Sequence, residues 1–92
     1  MSATSGPVDL TSHHRTTLQK ILQHPAGHNI EWHDVLGLLR VVGSVVEHDG
    51  KVRVTIGAEK AVLDVPAHKD IDVQTVVELR RMLSAAGYRN EA

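Results

Sequence analysis

The sequence predicts a small α+β domain, a two-layer sandwich in which a three-stranded antiparallel sheet carries helices on one face. Three observations support this fold class. Two stretches before residue 43 place apolar residues at helical spacing, residues 44 to 65 alternate apolar and polar side chains, and a last stretch returns to helical spacing. The predicted order of elements is therefore α-α-β-β-β-α, and helices on one side of an antiparallel sheet form two layers.

The first predicted element is a short helix that follows a tail. Residues 1–10 have the small, polar composition of a disordered tail. Thr11 or Ser12 can cap a helix over residues 11–24, since both side chains can accept a hydrogen bond from a free backbone N–H. Pro25 then ends it. The apolar residues of this helix, which are few, are Leu18, Ile21 and Leu22.

A second helix is predicted after Asn29. Glu31 and Asp34 stand near its start, where negative charge is favoured, and Arg40 stands near its end. Gly43 occupies the position at which many helices stop in a left-handed conformation, and we expect that geometry there. The apolar stripe of the helix consists of Val35, Leu36, Leu38, Leu39 and Val42.

Three strands are predicted over Ser44–His48, Lys51–Ile56 and Lys60–Val65, because apolar β-branched residues recur there with a period of two. Asp49-Gly50 is a strong signal for a two-residue hairpin turn, and residues 57–59 suggest a looser second turn. In the middle strand Val52, Val54 and Ile56 are predicted to face the core, while Lys51, Arg53 and Thr55 face solvent.

The last predicted element is a helix capped by Asp70 or Asp72 and closed by Gly87. Its expected buried side carries apolar residues at helical spacing: Val73, Val76, Leu79, Leu83 and Ala86.

Composition bounds the classes of function. A chain of 92 residues is one domain, and without cysteine it has neither disulfides nor thiolate metal sites. No apolar run approaches the roughly 20 residues that span a bilayer, and no signal peptide is evident, so we expect a cytoplasmic protein without a membrane partner.

Ten basic and eleven acidic side chains give a net charge of −1. Any RNA contact must then come from a local patch, and no DNA contact is expected for this chain alone.

The polar face of the middle strand is the first candidate site. Lys51, Arg53 and Thr55, joined by Lys60 or His48 from neighbouring strands, can bind the phosphates and hydroxyls of an RNA backbone. The same alternation is also what any half-solvated strand shows, so both readings stay open. The only aromatic residues, Trp32 and Tyr88, fall in or beside helices, which disfavours base stacking on the strands. We expect Trp32 to pack between the first two helices.

The loop of residues 66–70 is the second candidate. His68 beside Lys69, near a helix start, can handle a proton and an anionic group in phosphodiester cleavage. The alternative is a solvated side chain that does no more than stabilise the turn.

A metal site is not expected. His24 and His28 are close in sequence, but Pro25 breaks the helical geometry that would direct both rings at one ion. The other histidines of this half of the chain, His13, His14 and His33, show none of the usual ligand spacings. Nor is there a phosphate-binding glycine loop or a nucleophile elbow, so no cofactor is predicted.

Several short strings, taken in order, resemble the longer members of the HicA family, which carry an extra N-terminal helix. The strings are HRTTLQKI at residues 14–21, NIEW at 29–32, VPAH at 65–68 and LRRML at 79–83, with Ala86-Gly87 at the end of the last helix. The resemblance implies a single domain over residues 11–92, with the extra helix at 11–24 and a core at 29–88 similar to a double-stranded RNA-binding domain. It also implies metal-independent cleavage of mRNA in a toxin–antitoxin stress response, and a HicB-like antitoxin as partner.

The family's essential strand histidine is replaced here. It stands in a Gly-Ser-His string in the family, whereas this chain reads Asp49-Gly50-Lys51. A protonated lysine is a poor general base but can neutralise a phosphate, so His48 or His68 would have to move the proton. His68 matches the family's loop histidine.

The leading hypothesis is a HicA-like protein that interacts with RNA, with cleavage left open, and the alternative is a non-enzymatic domain that binds RNA or protein. A homodimer through the first helix ranks below packing of that helix on its own domain.

Overall fold

The predicted fold class and order of elements are confirmed. A computed structural model describes residues 10–23 and 30–89, so the predicted tail and the link that holds His24 and His28 lie outside the described residues except for Leu10. The helices are α1 (Ser12–Leu22), α2 (Trp32–Val42) and α3 (Val73–Ala85). The strands are β1 (Ser44–His48), β2 (Lys51–Ile56) and β3 (Glu59–Asp64), in the order β1-β2-β3.

The first hairpin turn forms as predicted and the second is tighter than predicted. Asp49 and Gly50 both have positive φ, 53° and 76°, as a two-residue type I′ turn requires. The second turn also has only two residues, because Glu59 already pairs with Ile56. Gly57, at φ 60°, supplies the left-handed first position of this turn. The third strand therefore begins one residue earlier than predicted and ends at Asp64.

The core lies between the sheet and the helices. Val52, Val54 and Ile56 of β2 have no exposed surface, as their spacing predicts. The α2 helix packs on β1 and β2, α3 packs on β3, and α1 packs on α2 and α3. Leu18, Ile21 and Leu22 of α1 belong to this core, and the partly buried Trp32 packs against it. The apolar side of α1 is thus used inside the domain, which confirms packing over dimerisation through that side.

Hydrogen bonds from α3 fix the end of α1 in place. The Arg80 guanidinium of α3 donates from Nε to the Ile21 carbonyl and from Nη2 to the Gln23 carbonyl, each at 3.1 Å. These carbonyls belong to the last turn of α1, where no intrahelical N–H remains to satisfy them and where positive charge is favoured. The N-terminal helix is therefore an integral part of the domain.

Gly43 is needed for a reason other than the predicted one. Its φ of −162° is extended, so the expected left-handed helix end is wrong. The chain instead passes straight from α2 into β1, and a Cβ at residue 43 would lie 1.9 Å from the Thr55 carbonyl oxygen. Gly43 is thus required by the close approach of two backbones.

The α3 helix buries a slightly different side from the predicted one. Met82 has no exposed surface, whereas Val73 is 73% exposed, so the expectation for Val73 is wrong. At 100° per residue Val73 lies about 120° around the helix from the buried Leu79. The predicted end at Gly87 is confirmed: φ is 99°, and the N–H groups of Gly87 and Tyr88 bond to the carbonyls of Ser84 and Leu83.

Two backbone hydrogen bonds join the segment before α2 to the segment before α3. The Trp32 N–H donates to the Lys69 carbonyl at 2.8 Å, and the Ile71 N–H donates to the Ile30 carbonyl at 2.9 Å. Asp72, one of the two predicted caps, accepts from the Thr75 N–H at 2.8 Å. The loop that contains His68 is therefore anchored at its C-terminal end. None of the helices in residues 10–23 and 30–89 combines the length and apolarity needed to cross a bilayer.

Candidate functional site

The face of the sheet that points away from the helices is uncovered by any described element. We call it the open face and define it by the outward residues of the three strands: Ser44, Val46, His48, Lys51, Arg53, Thr55, Lys60, Val62 and Asp64. It includes four of the five residues predicted to bind RNA, and also His48. Its position follows from strand alternation, since the intervening apolar residues of the three strands face the helices.

Strand register arranges the open face in three rows. Cross-strand partners on one face lie about 5 Å apart at Cβ, so each row is a set of neighbours. The first row is His48, Lys51 and Asp64; the second is Val46, Arg53 and Val62; the third is Ser44, Thr55 and Lys60. The register therefore brings His48 beside Lys51 and Thr55 beside Lys60, as the RNA-backbone hypothesis requires.

The first row is charge-compensated. Lys51 Nζ forms an ion pair with Asp64 Oδ1, and His48 Nε2 lies 3.1 Å from Asp49 Oδ2. All four side chains are largely exposed, so these contacts restrain the side chains only weakly. Lys51 nevertheless meets any ligand with an acidic neighbour beside it.

The cations of the other two rows are unopposed. Within residues 10–23 and 30–89, neither Arg53 nor Lys60 forms an ion pair. Val46 and Val62 flank Arg53 across the strands and are 58% and 60% exposed. Arg53 thus stands at the centre of the open face between two apolar neighbours. It lies in a shallow groove that is also lined by His48, Lys51 and two carboxylates, Glu47 and Asp49.

His68 lies in a different groove. Its neighbours along the outer side of β3 and the start of α3 include Asp64, Asp70 and Asp72. The hydrogen bond from the Thr75 N–H lowers the pKa of Asp72, so this carboxylate stays ionised to a lower pH than an ordinary aspartate. Both His68 and Lys69 are exposed. The acidic surroundings oppose phosphate binding near His68. Because His48 lines the groove on the open face and His68 lines this second groove, the two predicted catalytic histidines do not share a groove.

The histidines of the N-terminal half do not assemble a metal site in the described part of the chain, where no group of three or more His, Cys, Asp or Glu side chains could hold an ion. His13 Nε2 instead lies 3.0 Å from Asp34 Oδ1, which links α1 to α2. The His24 and His28 pair falls outside the described residues.

Sequence reasoning missed Asp64 and the two valines as members of the site. The Asp49-Gly50 turn already places Lys51 opposite His48. Asp64 and Val62 depend on the second turn, and one extra residue there would turn the outward positions of β3 towards the core. Recognising Gly57-Ala58 as a two-residue turn with glycine first would have identified both.

Comparison with known proteins finds no matching family model, no similar curated protein and no similar solved structure. The fold and the open face therefore define the class of molecule: a small α+β domain with one uncovered, locally basic sheet face.

Proposed function

We propose that this chain is a HicA-like RNA-interacting protein of toxin–antitoxin type, which binds RNA through the open face of its sheet. The observation that carries the proposal is the position of Arg53 and Lys60. Both are cations without an acidic partner in the described part of the chain, and both stand on an uncovered face beside Thr55. The resemblance to the HicA family supplies the biological setting, a cytoplasmic one with a HicB-like antitoxin as partner.

The chemistry of the face suits the RNA backbone better than the bases. An arginine guanidinium can donate two parallel hydrogen bonds to one phosphate, and lysine adds a point charge. The Thr55 hydroxyl, beside Lys60, can exchange a hydrogen bond with a ribose 2′-hydroxyl. No described strand carries Phe, Tyr or Trp for base stacking, and His48 is the one aromatic ring among the described strands. We therefore expect recognition of RNA shape and backbone, with little sequence preference.

RNA cleavage is a second candidate, and one observation favours it. His48 and Lys51 stand directly opposite each other at the end of the first hairpin and line one groove. In such a site the 2′-hydroxyl would lose its proton to His48 and attack the adjacent phosphorus, while Lys51 would balance the charge that develops on the phosphate oxygens. The bond from phosphorus to the 5′-oxygen of the next nucleotide would break, this oxygen would take up a proton from water, and a 2′,3′-cyclic phosphate would remain. His68, in its acidic groove, is not needed for this scheme.

Binding is tested by titrating a fluorescent RNA hairpin with the whole protein. We expect Arg53→Gln with Lys60→Gln to weaken binding about tenfold, since two phosphate contacts are lost. A control with Val73→Glu and Val77→Glu changes the net charge by the same −2, at exposed positions of α3 outside the open face. Equal affinity of the Arg53 and Lys60 variant and the natural chain would contradict the proposal.

Cleavage is tested by induced expression in a bacterial host, with growth and total RNA followed together. An active enzyme should arrest growth and degrade RNA, and either His48→Ala or Lys51→Ala should abolish both effects. His68→Ala is the matched control, which should leave both effects intact. RNA loss that persists in the His48→Ala variant would exclude the scheme above, and normal growth with intact RNA would favour a protein that only binds.

A further inference from the structure

The solvent side of α1 forms a second basic surface. We call it the α1 outer face and define it by the residues that line a shallow groove there: Ser12, Arg15, Thr16, Gln19, Lys20 and Gln23. The described segment 10–23 contains Arg15 and Lys20 but no acidic residue. Its other groove-lining side chains are hydroxyls and amides, which donate hydrogen bonds without adding negative charge.

Two further arginines come to the same helix from the C-terminal part of the chain. Gln19 Nε2 donates to the Arg89 carbonyl at 3.4 Å, which places the exposed Arg89 beside α1. The Arg80 guanidinium reaches the last turn of α1 through its bonds to two carbonyls. The Arg80 guanidinium and the backbone of Arg89 therefore both lie beside the helix that carries Arg15 and Lys20.

The charge of these cations is not cancelled within the described residues. Arg15, Lys20, Arg80 and Arg89 form no ion pair there, and the partners of Arg80 are carbonyl oxygens. Other arginines are held by carboxylates: Arg81 lies between Glu59 and Glu78, and these two raise its pKa above the ordinary arginine value. In a chain of net charge −1, the α1 outer face is a distinctly positive region.

The side chains of this surface select a phosphate-bearing polymer over an apolar partner. The large apolar residues that are exposed in the described chain all lie outside α1: Val41, Val46, Val62, Val65, Val73 and Val77. Arg, Lys, Ser, Thr and Gln side chains are the ones by which proteins contact the phosphates and sugars of nucleic acids. A membrane surface would in addition require apolar side chains that insert between lipids.

We infer that the α1 outer face binds the phosphate backbone of RNA as a second surface, separate from the open face. This inference rests on the proposed function for the identity of the polymer. The α1 helix packs on α2 and α3, which cover the inner side of the sheet, so the two surfaces belong to opposite sides of the domain. A short duplex contacts one of them at a time, and a longer folded RNA can engage both.

The test uses the whole chain with the open face disabled by Arg53→Gln and Lys60→Gln, and a short blunt-ended RNA duplex as probe. Adding Arg15→Gln and Lys20→Gln to this background should weaken the remaining binding about tenfold and reduce the salt dependence by about two phosphate contacts. The matched control adds Val73→Glu and Val77→Glu to the same background, again a change of −2 in net charge. Thermal unfolding checks that each variant is folded.

The outcomes separate this inference from the proposed function. If the open-face variant alone abolishes duplex binding, the inference is overturned and the proposed function stands. If the open-face variant binds as the natural chain does and Arg15→Gln with Lys20→Gln removes binding, the proposed role of the open face fails and the α1 outer face is the RNA site. Equal losses in the control and in the α1 variant would also overturn the inference, because bulk charge would then explain both.

Discussion

The six residues of β2 are divided between two faces that have different roles. Val52, Val54 and Ile56 point into the core with no exposed surface, whereas Lys51 and Arg53, which alternate with them, are exposed. The side chains of the inner face are close-packed against the helices, so a change in their volume disturbs the core. The outer face meets only solvent. Stability and binding are therefore expected to respond to different substitutions on one strand.

The largest effect is expected at the junction between the helix layer and the sheet. Gly43→Ala would force a Cβ against the Thr55 carbonyl, and we expect unfolding free energy to fall by about 3 kcal/mol or more in urea titration. Gly50→Ala is the control: it meets no neighbour within 4 Å but must adopt a φ of 76°, at a cost of about 1 to 2 kcal/mol. A larger loss at residue 50 than at residue 43 would contradict the close-approach explanation.

A pair of valines tests the comparison of the two faces directly. Val54→Ala should lower the unfolding free energy by about 2 kcal/mol, because it leaves a cavity in the core. Val46→Ala, on the open face and 58% exposed, should change it by less than about 0.5 kcal/mol. Chemical denaturation of both variants measures the difference. Similar losses at the two positions would mean that the open face is covered in solution.

The helix layer is tested at the contact between α3 and α1. Arg80→Ala should reduce the unfolding free energy by about 1.5 kcal/mol, since two carbonyls lose charged donors. Arg80→Lys should recover only part of this, because one ammonium cannot reproduce the planar fork of the guanidinium. Hydrogen exchange of the α1 amides follows the same variants. Unchanged exchange in Arg80→Ala would show that α1 is held without this contact.

The cap of α3 gives a pH-dependent effect. The pKa of Asp72 is lowered in the folded protein by the hydrogen bond from the Thr75 N–H. Its stabilising contribution is therefore present above the unfolded-state pKa of the carboxyl and is lost as pH falls through the lower folded-state pKa. Asp72→Asn keeps a capping oxygen, so the thermal midpoint should drop less on acidification than in the natural chain. If the thermal midpoints of both proteins fall equally as pH is lowered, Asp72 does not cause the loss of stability in acid.

The smallest effect is expected for the ion pair on the open face. Lys51 and Asp64 are 60% and 79% exposed at their side chains, so solvent screens their attraction. In a double-mutant cycle with Lys51→Gln and Asp64→Asn, we expect a coupling below about 0.5 kcal/mol. A coupling well above 1 kcal/mol would show that the first row of the open face is more rigid than its exposure indicates.

Local patterns were sufficient for most of the fold. The change of period at Gly43 predicts β1 and Asp49-Gly50 predicts the first hairpin, whereas the pairing of His48 with Lys51 comes from the observed strand register. The predictions differ from the structure in the length of one turn and in the rotation of one helix about its axis. The sequence predicts a second turn one residue longer than the observed one. It also predicts Val73 on the buried side of α3, because helical spacing alone does not fix which side of a helix faces the sheet.

The sequence by itself determined the order of elements and the alternation of β2, and hence the outward positions of Lys51 and Arg53, because backbone periodicity is a local property. The tertiary structure alone decided that α1 is part of the core, that Arg80 caps it, and that Gly43 is needed for backbone contact with Thr55. It also separated His68 from His48 and brought the Arg80 guanidinium and the backbone of Arg89 to the helix that carries Arg15 and Lys20. These arrangements join residues distant in the chain, and their distances are set by how the layers pack.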